Sequence, residues 1–142
     1  MGWIPATLAA ALVLVAAAPL RAQEKGAGDS AVSVLDGVYT AAQAKRGGSA
    51  FRENCSGCHG SKQFAGPTFQ RSWSGRALYD LFEMIRTRMP DSNPGSLPRK
   101  TYADIIAYLF SLNGYPSGSK ELPSQADPQK RIRIEMAPDT AG

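Results

Sequence analysis

The chain has 142 residues, a formal net charge of +4, two cysteines and one histidine, which leaves room for one domain but not for two of ordinary size. Those counts exclude a four-ligand Cys/His zinc site and a scaffold of several disulfides. They also leave a Ser-His-Asp hydrolase or a multi-histidine metal centre with a single imidazole.

The amino terminus reads as a leader. Leu8 to Ala18 is an unbroken apolar run, and Pro19-Leu20-Arg21-Ala22-Gln23 follows it. This is the pattern of a secretory h-region with a small-residue cleavage site. Cleavage is expected after Ala22, with Ala18 as the second choice. The leading MGWIPAT carries no Lys or Arg, a departure from that pattern. An uncleaved anchor is the alternative, because Trp3 to Leu20 is nearly long enough to span a bilayer. Its prolines, threonine and alanines make it weakly apolar for that task. Residues 1–22 are therefore assigned to a signal peptide, and no stable membrane span is expected after cleavage. Export implies an oxidising compartment, in which bare thiols pair or are capped; the bacterial periplasm is the simplest address.

Residues 23–37 read as a flexible linker, since Gln23 to Ser30 is charged and glycine-rich. Residues 38–114 form the expected domain, all-α, with three main helices. Thr40 and Gln43 match a capping box and predict a helix from about Ala41 to Asn54, with Ala44, Gly47 or Gly48, and Phe51 on one face. The second runs from about Gly75 to Thr87 on the spacing of Leu78, Leu81, Phe82 and Ile85, with Ser74 as a candidate cap and Pro90 limiting its extension. The third spans about Arg99 to Leu112, with Tyr102, Ile105, Ile106 and Leu109 in register and Asn113-Gly114 as its stop. No segment shows the period-two alternation of a sheet. Residues 115–142 read as an extended polar tail with no helical period. Its one basic-apolar stretch, Lys130 to Ile134, could lie on the domain surface.

So small a domain has little apolar area to offset its conformational entropy and needs a staple. The loop from Ser56 to Trp73 offers almost no aliphatic content to fill the space between helices. The candidate staple lies in Cys55-Ser56-Gly57-Cys58-His59. C-x-x-C-H is the haem-attachment signature: two thiols three positions apart can form thioethers to the two vinyl groups, and the adjacent imidazole reaches the iron. A lone Cys55–Cys58 disulfide, a thioredoxin-like redox pair and an ordinary surface histidine are the competing readings. The thioredoxin-like pair needs a βαβ context that is missing here.

Met84 and Met89 are the candidates for a second axial ligand. With Leu78 at zero and about 100° per residue, Met84 falls at about −120°, off the apolar face, and Met89 at about +20°, at its centre. Met89 is thus the predicted ligand and Met84 a flexible filler. His/Met ligation saturates the iron and raises its potential, which favours electron transfer over oxygen chemistry.

The run Gly47-x-x-x-Phe51-x-x-x-Cys55-Ser-Gly-Cys58-His59-Gly60, then Gly66-Pro67, then Met89-Pro90, resembles the class I c-type cytochromes over about Val38 to Gly114. The resemblance implies one covalent haem c per chain held by Cys55 and Cys58, with His59 and Met89 on the iron. It implies that Gly47 and Phe51 meet Tyr108 or Leu109 where the first and last helices cross. It also implies that the Pro67 carbonyl accepts from the second histidine nitrogen. Trp73 and Arg76 are candidates for a haem propionate; each could equally be a packed aromatic and a solvated charge. Asn113-Gly114-Tyr115-Pro116 with Glu121-Leu122-Pro123 is similar to cytochrome domains that serve bacterial quinone-cofactor dehydrogenases. The function so implied is a periplasmic electron carrier, with a dehydrogenase donor and an oxidase or quinone-linked acceptor. The alternatives are a haem subunit of an oxidoreductase complex and a thiol redox or haem sensor protein. Cleavage would lower the charge to about +3 and two propionates to about +1, so nucleic acid is not an expected partner. Residues 43–100 nevertheless hold ten Lys/Arg against four Asp/Glu. Lys62, Arg71, Arg86 and Arg88 form a candidate basic rim for an acidic partner.

Overall fold

The computed structural model describes residues 1–3 and 31–137; the leader, its cleavage position and most of the expected linker lie outside the described residues. The order is β1 (Val32–Ser33), a 3-10 turn (Val34–Asp36), α1 (Ala41–Asn54), a second 3-10 turn (Ser61–Phe64), α2 (Pro67–Trp73), α3 (Leu78–Arg88), α4 (Arg99–Leu112), α5 (Ala126–Arg131) and β2 (Ile132–Arg133). The fold is all-α and cytochrome c-like, as expected, with one minimal strand pair added. No helix among the described residues is long and apolar enough to cross a membrane.

Helices α1 and α4 form the main contact of the domain. Thr40 caps α1 by accepting from Gln43 N at 3.1 Å. Gln43 does not reach back to complete the box. Its side chain is fully buried and holds the tail instead, with Nε2 donating to Leu122 O at 3.1 Å and Leu122 N donating to Oε1 at 2.6 Å. The crossing depends on Gly47, where a Cβ would lie 1.7 Å from Asp104 O. Gly47 therefore meets the α4 backbone rather than Tyr108 or Leu109, while its neighbour Gly48 faces the Tyr108 ring. Phe51 does meet Tyr108, ring centroids 5.6 Å apart.

The second helix starts three residues later than predicted, at Leu78, and Ser74 ends α2 rather than capping α3. Backbone pairing takes the intervening residues: Gly75 N donates to Ile134 O at 2.8 Å and Ile134 N to Arg76 O at 2.9 Å. Strand β2 pairs on its other side with β1, parallel, Val32 opposite Ile132. Two expectations are corrected here. Residues 31–37 are not a flexible linker, because Val34 is fully buried and Ser33 caps the turn that follows. Nor do residues 115–137 form an extended surface tail. Tyr115, Leu122, Ile132 and Ile134 are buried in the core, and α5 is helical.

Ion pairs fasten the same tail outside. Arg46 forks onto Asp104 at 3.1 and 3.2 Å and reaches Glu121 at 2.6 Å; Lys100 bridges Glu121 at 2.7 Å and Asp104 at 3.5 Å. Hydrogen bonds from Lys100 and then Arg46 hold the Glu121 carboxyl below the usual carboxylate range.

Candidate functional site

Helix α1 delivers the cysteine motif. Cys55 ends the helix with its N–H on Phe51 O at 2.8 Å, and its own carbonyl accepts from Cys58 N at 3.1 Å and His59 N at 2.9 Å. That tight turn groups two thiols and an imidazole at the end of a rigid helix. Cys55 is half-buried and Cys58 exposed, and burial pushes the Cys55 thiol up. Phe64 returns against the motif, its ring edge-on to His59 at 5.3 Å and to Phe51 at 6.0 Å.

A cavity of about 90 Å³ lies behind this turn, lined by Phe51, Cys55, His59, Phe64, Met84, Ile85, Met89, Ile105 and Leu109. A second, of about 200 Å³, shares Cys55, His59 and Met89 with it and adds Asn54, Cys58, Pro90, Asp91 and Ser92. The described residues also form larger grooves, of about 560 and 620 Å³, but these contain no Cys, His or Met. Thiol, imidazole and thioether thus converge on one apolar space, the donor set and lining that a covalent haem requires.

Met89 sits just past α3 in extended conformation. Its N–H donates to Ile85 O at 2.8 Å, and its carbonyl accepts from the buried Tyr102 hydroxyl at 2.7 Å. Tyr102 reads in the sequence as a core position only. The available signal was its phenol, which needs a partner when buried. Met84 lines the first cavity as well, so it is not a filler turned away from the site. The reason is that the apolar stripe of α3 is wider than its first turns show. Leu78, Leu81 and Phe82, at most 1% exposed, pack in the protein core, whereas Met84 and Ile85, further along the helix, face the cavity. A stripe centred on Leu78 takes in Ile85 and Met89 but stops short of Met84.

The remaining site residues fall elsewhere. Pro67 is exposed at the first position of α2, where its fixed φ starts the helix. His59 Nδ1 is 3.3 Å from Gln63 Oε1, and no hydrogen bond among the described residues joins it to Pro67. With its proton on Nδ1, the imidazole donates to Gln63 and presents Nε2 as the free metal donor. Trp73 is buried at the end of α2 with the Arg76 guanidinium 4.5 Å over its ring. Neither of them lines the two cavities that hold His59. Of the basic rim, Lys62, Arg71 and Arg88 are exposed. Arg86 is engaged with Glu83 at 2.6 Å, and Glu83 is also shared with Arg99.

Residues 42–109 match the family model described as cytochrome C oxidase, cbb3-type, subunit III. No curated protein and no solved structure matches the chain. The matched span includes the whole cysteine turn, Met84 and Met89, and stops short of Asn113 and the tail. It does not extend to the narrower likeness to quinone-cofactor dehydrogenase domains. The cavity, its donors and this match together support a c-type cytochrome domain over residues 42–109, with covalent haem c as cofactor and electron transfer as its chemistry.

Proposed function

We propose that the chain is an exported single-haem electron-transfer protein of a respiratory system, with Cys55 and Cys58 as thioether donors and His59 and Met89 as axial ligands. The observation that carries this reading is the convergence of Cys55, His59 and Met89 on one apolar cavity. When bound, the haem supplies an iron that takes up and releases one electron.

The chain's own residues do the rest. The Cys55–His59 turn offers the thiols and an imidazole nitrogen from one side. Tyr102 fixes the Met89 backbone by donating to its carbonyl. Phe51, Phe64, Ile105 and Leu109 exclude water, which keeps reorganisation small and favours a raised potential. The leader-like run of Leu8 to Ala18 supports export to the periplasm. The description of the matched family supports an oxidase-type complex as the electron acceptor, with the chain as its haem subunit or its soluble donor. A dehydrogenase remains the chemical class of donor, as does a quinone-linked complex of alternative acceptor. Exposed Lys62, Arg71 and Arg88 favour an acidic docking surface, so the reduction rate is expected to fall with added salt.

Haem that stays on the chain after denaturation in SDS establishes thioether attachment and separates this reading from a thiol redox protein. Met89→Ala is expected to remove the weak long-wavelength methionine–iron band of the oxidised protein and Met84→Ala to retain it. The reverse result overturns the ligand assignment.

A further inference from the structure

Asn113 closes α4 and is 5% exposed. One of its Nδ2 hydrogens caps its own helix, donating to Leu109 O at 2.8 Å. The other reaches Phe64 O at 2.7 Å, and Oδ1 accepts from Gly66 N at 2.9 Å. A residue needed only as a helix cap has no use for two bonds to a loop 49 and 47 positions earlier. Those bonds pin a segment with few anchors of its own. Gly66 has φ +82, and a Cβ there would meet nothing within 4 Å. The segment nevertheless carries the Phe64 ring that abuts His59 at 5.3 Å.

We propose that Asn113 is a positioning residue for the His59 imidazole: it fixes the 64–66 loop, and Phe64 transmits that placement to the ring. The proposal rests on the reading of His59 as an axial ligand. Groups that orient a metal-bound histidine tune the metal it binds, and networks of buried, fully satisfied hydrogen bonds hold such geometry stiffly. Asn113 lies just past the span of the family match.

The test uses the holoprotein, with haem first verified on the SDS-denatured chain, and reads the ferric-to-ferrous ratio in a fixed redox buffer. Asn113→Ala is expected to change that ratio by about tenfold, which for a one-electron couple is a shift of about 59 mV. Phe64→Leu should shift it in the same direction, and the double variant should shift it by less than the sum of the two, because part of the Phe64 effect runs through the contact that Asn113 fixes. Gln43→Ala is the control: it also removes two hydrogen bonds of a buried amide, but none that reaches the loop, and should leave the ratio within about twofold. Where Asn113→Ala does not accumulate, Asn113→Ser keeps a short polar cap without the reach to Phe64 and should give the same shift. An unshifted ratio in the Asn113 variants overturns the proposal, as does an equal shift in Gln43→Ala. A chain that keeps no haem in SDS overturns the axial-ligand reading itself.

Discussion

The α1–α4 crossing makes the sharpest demand on a single residue. A Cβ built on Gly47 lies 1.7 Å from Asp104 O and 2.4 Å from Asp104 C. Contacts below 3.0 Å essentially never occur, so Gly47→Ala forces the two backbones apart by at least about 1.3 Å. Neither side can yield by rotating a side chain. An opening of that size forfeits much of the dispersion along the interface, since a gap of 0.5–1 Å already loses about a quarter to a half of each contact. It also pulls on the Arg46–Asp104 fork one residue away. Overpacking in cores costs about 1–3 kcal/mol, and a backbone-to-backbone clash belongs at or above the upper end. Exchanging glycine for alanine in a helix returns only about 1 kcal/mol. Gly47→Ala is thus expected to lose about 2 kcal/mol or more. Gly48→Ala is the matched comparison. Its Cβ would sit 3.3 Å from a Tyr108 ring carbon, which a small ring movement relieves, so its net effect should be within about 1 kcal/mol of zero. Urea midpoints of the two holoproteins, at equal slope, measure the difference. Equal midpoints would refute the argument that α4 backbone, rather than side chains, sets the glycine requirement.

The tail offers a second test. Ile134 is fully buried and hydrogen-bonded to Arg76, so Ile134→Ala should cost about 2–5 kcal/mol, whereas Met136→Ala, at a residue 40% exposed, should change the urea midpoint little; equal effects would return the tail to the surface. Acid should loosen the structure. Hydrogen bonds from Arg86 lower the Glu83 pKa, and those from Lys100 and Arg46 lower that of Glu121. A depressed folded-state pKa adds stability that is complete above the unfolded value of about 4.3 and lost as pH falls through the folded value. Urea midpoints should therefore hold level from neutral pH to about 5 and fall below about 4. Glu121→Gln should flatten that fall in part, and a midpoint that rises on acidification would contradict the assignment.

Long local patterns are legible in the sequence. The span of α1 follows from Thr40 and the spacing of Ala44, Gly47 and Phe51, and that of α4 from its apolar register and Asn113-Gly114. Each carries its period over fourteen residues, enough for the periodic signal to stand out. The seven residues of α2 and the six of α5 are too short for that, and such helices owe their stability to packing; Pro67 at N1 was the one available hint of the former. Gln43 shows the same division in a single residue. Its spacing from Thr40 matched a local motif, but a partner 79 positions away took the amide, because burying it demands that both its donor and its acceptor be satisfied.

The attachment motif is written along the chain: its only two cysteines and its only histidine stand within five positions, and covalent spacing is fixed before folding. What surrounds that turn is a matter of long-range packing. It brought Met84 to the cavity beside Met89, gave His59 Gln63 as its polar neighbour, and folded the polar tail into the core behind α3. Those outcomes depend on which of several faces and hydrogen-bond partners are satisfied together, a competition among groups distant along the chain that no local pattern records.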